Sequence, residues 1–134
     1  MSHLDLPNIY EVRQDKWDQH AFNEESALRV VDNGEGGYDF YVNLDNIHLL
    51  TEQKANSSIS PQLLGARYEF GLVLVGVALL GAHNGGIGQS SAEEEDVFSR
   101  ISSVSKVLSP VLLPMIASLG ELQLDEPAEI LEEE

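Results

Sequence analysis

The residue types able to do chemistry are scattered along this 134-residue chain rather than gathered into one motif. The four histidines, His3, His20, His48 and His83, show no HxH, HxxxH or HExxH spacing that would bring two ring nitrogens to one metal ion. Cysteine is absent, which removes disulfides, thiol catalysis and thiolate metal sites and fits a reducing cytosol. No GxSxG nucleophile elbow occurs. Carboxylates are plentiful, but none forms a pair that an apolar neighbourhood would split into acid and base; Asp39 and Asp45, beside a hairpin, are the nearest candidates. Gly85-Gly86-Ile87-Gly88 has the glycines of a phosphate cradle, yet no strand precedes it, no Lys follows it, and it leads to four acids that repel phosphate. It reads as a linker. The expectation is a protein without catalytic residues, cofactor or metal.

The elements around these residues can be placed from periodicity and caps. Ala27–Val31 and Tyr38–Leu44 are β-prone runs on either side of a turn-rich stretch, Asp32 to Gly37, and predict a hairpin. In the second run Tyr38, Phe40, Val42 and Leu44 share one face, so Asp39, Tyr41 and Asn43 are expected on a wet one. A further strand is expected over Asn8–Val12, because an isolated hairpin is marginal in water. Ile47–Lys54 predicts a short helix. Ser60-Pro61 has the form of an N-cap followed by proline at the first helical position, opening a helix to about Ala82. The last turns of that helix are apolar on every side, which predicts burial on every side. Its 13-residue run Phe70–Ala82 falls short of the roughly 20 apolar residues a bilayer requires, so a core helix is expected and not a membrane span. Gly71, Gly76 and Gly81 each cost about 1 kcal/mol in a helix interior, and close packing is the simplest reason to keep them.

Ser91 and Glu94 form a capping box, with Glu93 to Asp96 where the helix dipole favours negative charge. Val97, Val104 and Val111, and likewise Ile101, Leu108, Met115 and Leu122, recur every seven residues and predict an apolar stripe. Ser109-Pro110 repeats the cap-plus-proline pattern, so a break near Leu108 and a second helix from Pro110 to about Leu119 are expected, ended by Gly120. The whole reads as an α+β domain over residues 1–124, a small antiparallel sheet packed by three or four helices, followed by an acidic tail over residues 125–134 expected to be disordered.

Two resemblances bear on function. The Asp32-Asn33-Gly34-Glu35-Gly36 run resembles the glycine box of the GHKL ATPases, which implies Asp32, Gly34 and Gly36 as adenine-binding and lid-approach positions. The GHKL fold needs a preceding amphipathic helix with a magnesium-holding Asn; here the box is preceded by no such helix and followed at once by a strand, so a hairpin turn is the favoured reading. The order of Trp17 to Phe22, Glu25 to Val30, Tyr41 to Asn46, Leu63 to Tyr68 and Phe70 to Leu80 looks like a C-terminal segment of long bacterial multidomain proteins that carry a GHKL ATPase or subtilisin-like protease module. That resemblance implies an accessory or assembly domain with the active site elsewhere.

Composition narrows the partners. With 23 acidic against 7 basic side chains the formal charge is -16, which repels phosphate backbones and anionic membrane surfaces. The expected function is a cytoplasmic, non-catalytic protein-interaction or oligomerisation domain. Trp17, Tyr41, Leu72, Val75, Leu79, Val104, Leu108 and Met115 are the candidate contact residues. An ATP-binding fragment using Asp32, Gly34 and Gly36 is the alternative from another class; a third reading has the acidic stretch Glu126 to Glu134 imitating nucleic acid before a basic partner.

Overall fold

A computed structural model describes residues 7–84, 97–116 and 118. Three strands, β1 (Asn8–Val12), β2 (Leu28–Asp32) and β3 (Tyr38–Asn43), form one sheet in the order β1-β3-β2. The β2–β3 pair is the expected antiparallel hairpin, with Val30 opposite Phe40. β1 pairs with β3 in parallel, Ile9 opposite Phe40 and Glu11 opposite Val42, so the sheet is mixed and not antiparallel throughout. The cause is the connection that follows β1. A 3-10 turn (Gln14–Lys16) and the short helix α1 (Trp17–His20) carry the chain across the sheet before β2 begins, leaving β3 to fill the space between β1 and β2.

That crossing arm covers the face of β3 expected to be wet. Trp17 Nε1 donates to Asn43 Oδ1 at 2.9 Å, and the His20 ring lies 4.4 Å from that of Tyr41, which stacks on Tyr10. Asn43 is fully buried as a result. Its amide donates to the carbonyls of Asn23 and Ser26, and its Oδ1 also accepts from the Asp45 backbone.

Helix α2 (Ile47–Ala55) starts at Asn46, whose buried side chain accepts from the His48 and Leu49 amides while its own amide reaches the Glu25 and Ser26 carbonyls. Helix α3 (Pro61–Asn84) opens as expected, with Ser60 Oγ accepting from the Leu63 amide. Leu64, Tyr68, Leu72 and Leu80 point from α3 into the core formed with Leu28, Val30, Phe40 and Val42. The expectation of burial on every side fails, however: Leu63, Phe70 and Leu74 are 45%, 69% and 58% exposed. Among the described residues the three-stranded sheet, α2 and the helix over residues 97–116 reach only part of the way round α3, and the side opposite Leu72 is left open. By length and composition α3 could cross a membrane, but the sheet and the helix below are packed onto it and would have to leave first.

A fourth helix, α4, runs over residues 97–116 without the break expected near Leu108. Ser109 does not cap a new helix, because its hydroxyl is buried in a hydrogen bond with the Tyr68 phenol. Pro110 and Pro114 are exposed, where water can take the carbonyls they leave without an intrahelical donor. The seven-residue stripe also fails at its C-terminal end. Val97 is buried, Val104 half-buried and Val111 48% exposed; Ile101 is buried, Leu108 half-buried and Met115 54% exposed. The contact with the core slants across the helix, as it does where helices cross at an angle, whereas a heptad series runs nearly parallel to the axis. The buried row follows four-residue steps instead, Val97, Ile101, Ser105, Ser109 and Leu113, and Ser105 Oγ accepts from the Leu28 amide across the core. The capping box, the glycine-rich linker, Leu122, Gly120 and residues 125–134 lie outside the described residues.

Candidate functional site

The sheet's edge strand and α3 do not close on one another. β1 turns Ile9 and Glu11 toward the helices, in register with the core residues Phe40 and Val42, but α3 lies over β2 and β3. The gap is a cleft of about 500 Å³ with Ile9, Glu11 and Arg13 on the β1 side and Gln62, Ala66, Glu69, Phe70 and Val73 on the α3 side. Leu44, Leu49 and Gln53 reach it from beside and within α2. Its walls mix apolar side chains with Glu11, Arg13, Gln53, Gln62 and Glu69.

The polar centre is a carboxyl pair. Glu69 is pushed up to about 7, first by desolvation and then by a hydrogen bond to Glu11 and that residue's charge. Glu69 on α3 and Glu11 on β1 thus line one cleft from its two sides. Arg13 is engaged elsewhere: its guanidinium bonds Asp45 at 3.1 Å and the Leu44 carbonyl. Asp45 also accepts from the Gln14 amide, and Asp39 from the Asn8 side chain, so both carboxylates favoured from sequence bond to their own fold.

Glu69 has a consequence for stability. Its folded value lies above the ordinary 4.5, so between pH 4.5 and about 7 the folded state holds more protons than the unfolded one, and stability falls as pH rises through that window. Glu69→Gln should flatten this part of the pH profile and raise stability at pH 8 by about 1 kcal/mol, solvent screening having been allowed for. Urea unfolding of both proteins at pH 4.5, 6 and 8 checks it; a difference that stays constant with pH refutes it.

The residues singled out from sequence are not brought together. Leu72 is fully buried in the core and offers no surface. Val75 and Leu79 of α3 and Val104 and Leu108 of α4 are half-buried, and Met115 is exposed. Trp17 and Tyr41 sit on the far side of the sheet from α3, Trp17 anchoring the crossing arm. Burial raises the Tyr41 phenol, with Asp39 and Tyr10 adding and Arg29 opposing, and burial followed by Arg29 lowers His20.

Asp32 to Gly37 form the hairpin turn. Asp32 Oδ1 accepts from the Gly34 amide and Asn33 Oδ1 from those of Glu35 and Gly37, with Gly34 and Gly36 at φ +80° and +86°. The glycines there serve the left-handed backbone. Asp32 also borders a shallower depression of about 410 Å³ between β2 and α4, beside Arg29, Phe98, Ser99 and Ser102. No group of three or more His, Cys, Asp or Glu placed to hold a metal ion occurs among the described residues.

Sequence reasoning missed Glu11 and Glu69 because 57 residues separate them and no periodicity joins them; the one available signal was an acid, Glu69, directly before an apolar helical run. Set against protein-family models, curated proteins and solved structures, the chain matches none.

Proposed function

We propose that this protein is a non-catalytic interaction module that docks another protein on the open side of α3. The observation that carries the reading is the row Leu63, Phe70 and Leu74, three large apolar side chains about half exposed or more along one line of a helix whose other sides hold the core. Scattered surface leucines need no explanation, but Phe70 and Leu74 one turn apart, with Leu63 on the same line beyond Arg67, do. An accessory role in a larger bacterial assembly is in keeping with it. The net charge of -16 favours a foreign partner whose apolar patch is rimmed by basic residues over a second copy of the same acidic surface.

The test is Leu74→Asp. The residue is 58% exposed, so the substitution should change folding stability by no more than about 0.5 kcal/mol. Chains captured by the wild-type protein are identified, purified and titrated back. A genuine partner should lose at least tenfold in affinity, about 1.4 kcal/mol, for the variant. Sedimentation velocity of the protein alone separates the second-copy version, in which association would itself depend on Leu74. A monomer for which no purified chain binds in a Leu74-dependent manner overturns the module reading.

A further inference from the structure

We propose that the cleft between β1 and α3 accepts an extended basic segment of the partner as a fourth strand on the β1 edge, seating a lysine or arginine side chain between Glu11 and Glu69. This rests on the module reading above and gives the partner its chemistry.

The geometry has three parts. Among the described residues β1 has β3 on one side only, so its other edge offers backbone donors and acceptors to an incoming strand. The cleft runs between that edge and α3, which is the space an added strand and its inward side chains would fill. Side chains alternate along a strand, and Ile9 and Glu11 are the β1 residues that face the helices. An added strand therefore places one side chain against Ile9 and Phe70 and the side chain two positions away between Glu11 and Glu69. The expected signature is an apolar residue and a basic residue two apart.

Charge selects the occupant. Glu11 approaches from β1 and Glu69 from α3; among the described residues Arg13 is the remaining charged group lining the cleft and is paired with Asp45, and Gln53 and Gln62 are neutral. A neutral strand would bury the two acids further with no cation beside them, whereas a lysine or arginine side chain can pair with both. The chain's own acidic stretch, Asp125 to Glu134, brings like charge and is a poor occupant. Because a cation favours the ionised form of Glu69, which is raised to about 7 in the free protein, binding should release protons near neutral pH and tighten as pH rises toward 8.

The probe is a random twelve-residue phage-displayed library panned against the intact protein at pH 8. Enriched peptides should carry Lys or Arg two positions from an apolar residue and shift the amide resonances of residues 8–12. They should bind at least tenfold more weakly to the Glu11→Gln, Glu69→Gln double variant, and at least threefold more weakly at pH 6 than at pH 8. No enrichment, a pool without basic preference, or peptides that leave residues 8–12 unshifted overturns the proposal. Leu74→Asp tells the two failures apart, since Leu74 does not line the cleft. A partner that needs Leu74 while the library yields nothing basic leaves the module standing and removes only the cleft's role.

Discussion

Asn43→Leu is expected to destabilise the protein by about 3–5 kcal/mol, although leucine is close to asparagine in size and the position lies in a strand. The side chain is fully buried and accepts from the Trp17 indole and the Asp45 amide while donating to the Asn23 and Ser26 carbonyls. Leucine supplies none of these, and each buried group left without a partner costs about 1–3 kcal/mol. The effect falls short of a simple sum because parts of the crossing arm can reach water once released. The same bonds hold α1 against β3, so the variant should also red-shift Trp17 emission in the folded state. Urea unfolding followed by tryptophan fluorescence gives both readouts. A loss below about 1 kcal/mol with unchanged emission would show that the indole bond does not organise the arm.

Asn43 also shows where reading the sequence stops. Alternation in Tyr38 to Leu44 correctly assigns Phe40 and Val42 to the core, because burial on that face follows from the strand's own pattern. What covers the opposite face depends on where the chain travels between β1 and β2, and alternation is silent on that. The start of α3 was legible for the opposite reason: Ser60 capping Leu63 is a contact within one turn. The break expected at Ser109-Pro110 used the same local rule and failed, because Ser109 bonds Tyr68 from the far side of the core and burial outweighs the cap. The α+β class was legible; the parallel placement of β1 was not. The carboxyl pair of the cleft was illegible for the same reason, since it exists only where the β1 edge comes up beside α3. An all-round apolar helix carries no record of which side its neighbours will cover, and that record would have pointed to Leu63, Phe70 and Leu74.

What fixes that open side is how closely α3 lies on the sheet, and Gly76 controls the approach. A Cβ at position 76 would stand 2.7 Å from Phe40 Cε2 and 3.1 Å from Leu28 Cδ2, both core side chains with little room to retreat. Alanine gains about 1 kcal/mol in helix propensity but overpacks the interface at a cost of about 1–3 kcal/mol, so Gly76→Ala should be destabilising by up to about 2 kcal/mol. The other two glycines calibrate it. At Gly81 a Cβ meets nothing within 4 Å, and Gly81→Ala should stabilise by up to about 1 kcal/mol. At Gly71 the nearest atoms belong to the half-buried Leu112 side chain at 3.0–3.2 Å, which can give way, and Gly71→Ala should be near neutral. Thermal or urea unfolding should rank Gly81→Ala most stable, Gly71→Ala next and Gly76→Ala least. Pairing Gly76→Ala with Phe40→Leu, which removes the ring atoms in the way, should shrink the extra penalty of the alanine below its value beside Phe40. If Gly76→Ala stabilises as much as Gly81→Ala, α3 does not rest on the Phe40 ring. The consequence reaches the docking surface: Leu74 precedes Gly76 by two positions, about 200° around the helix, so the contact that seats Gly76 on Phe40 is also what turns Leu74 outward.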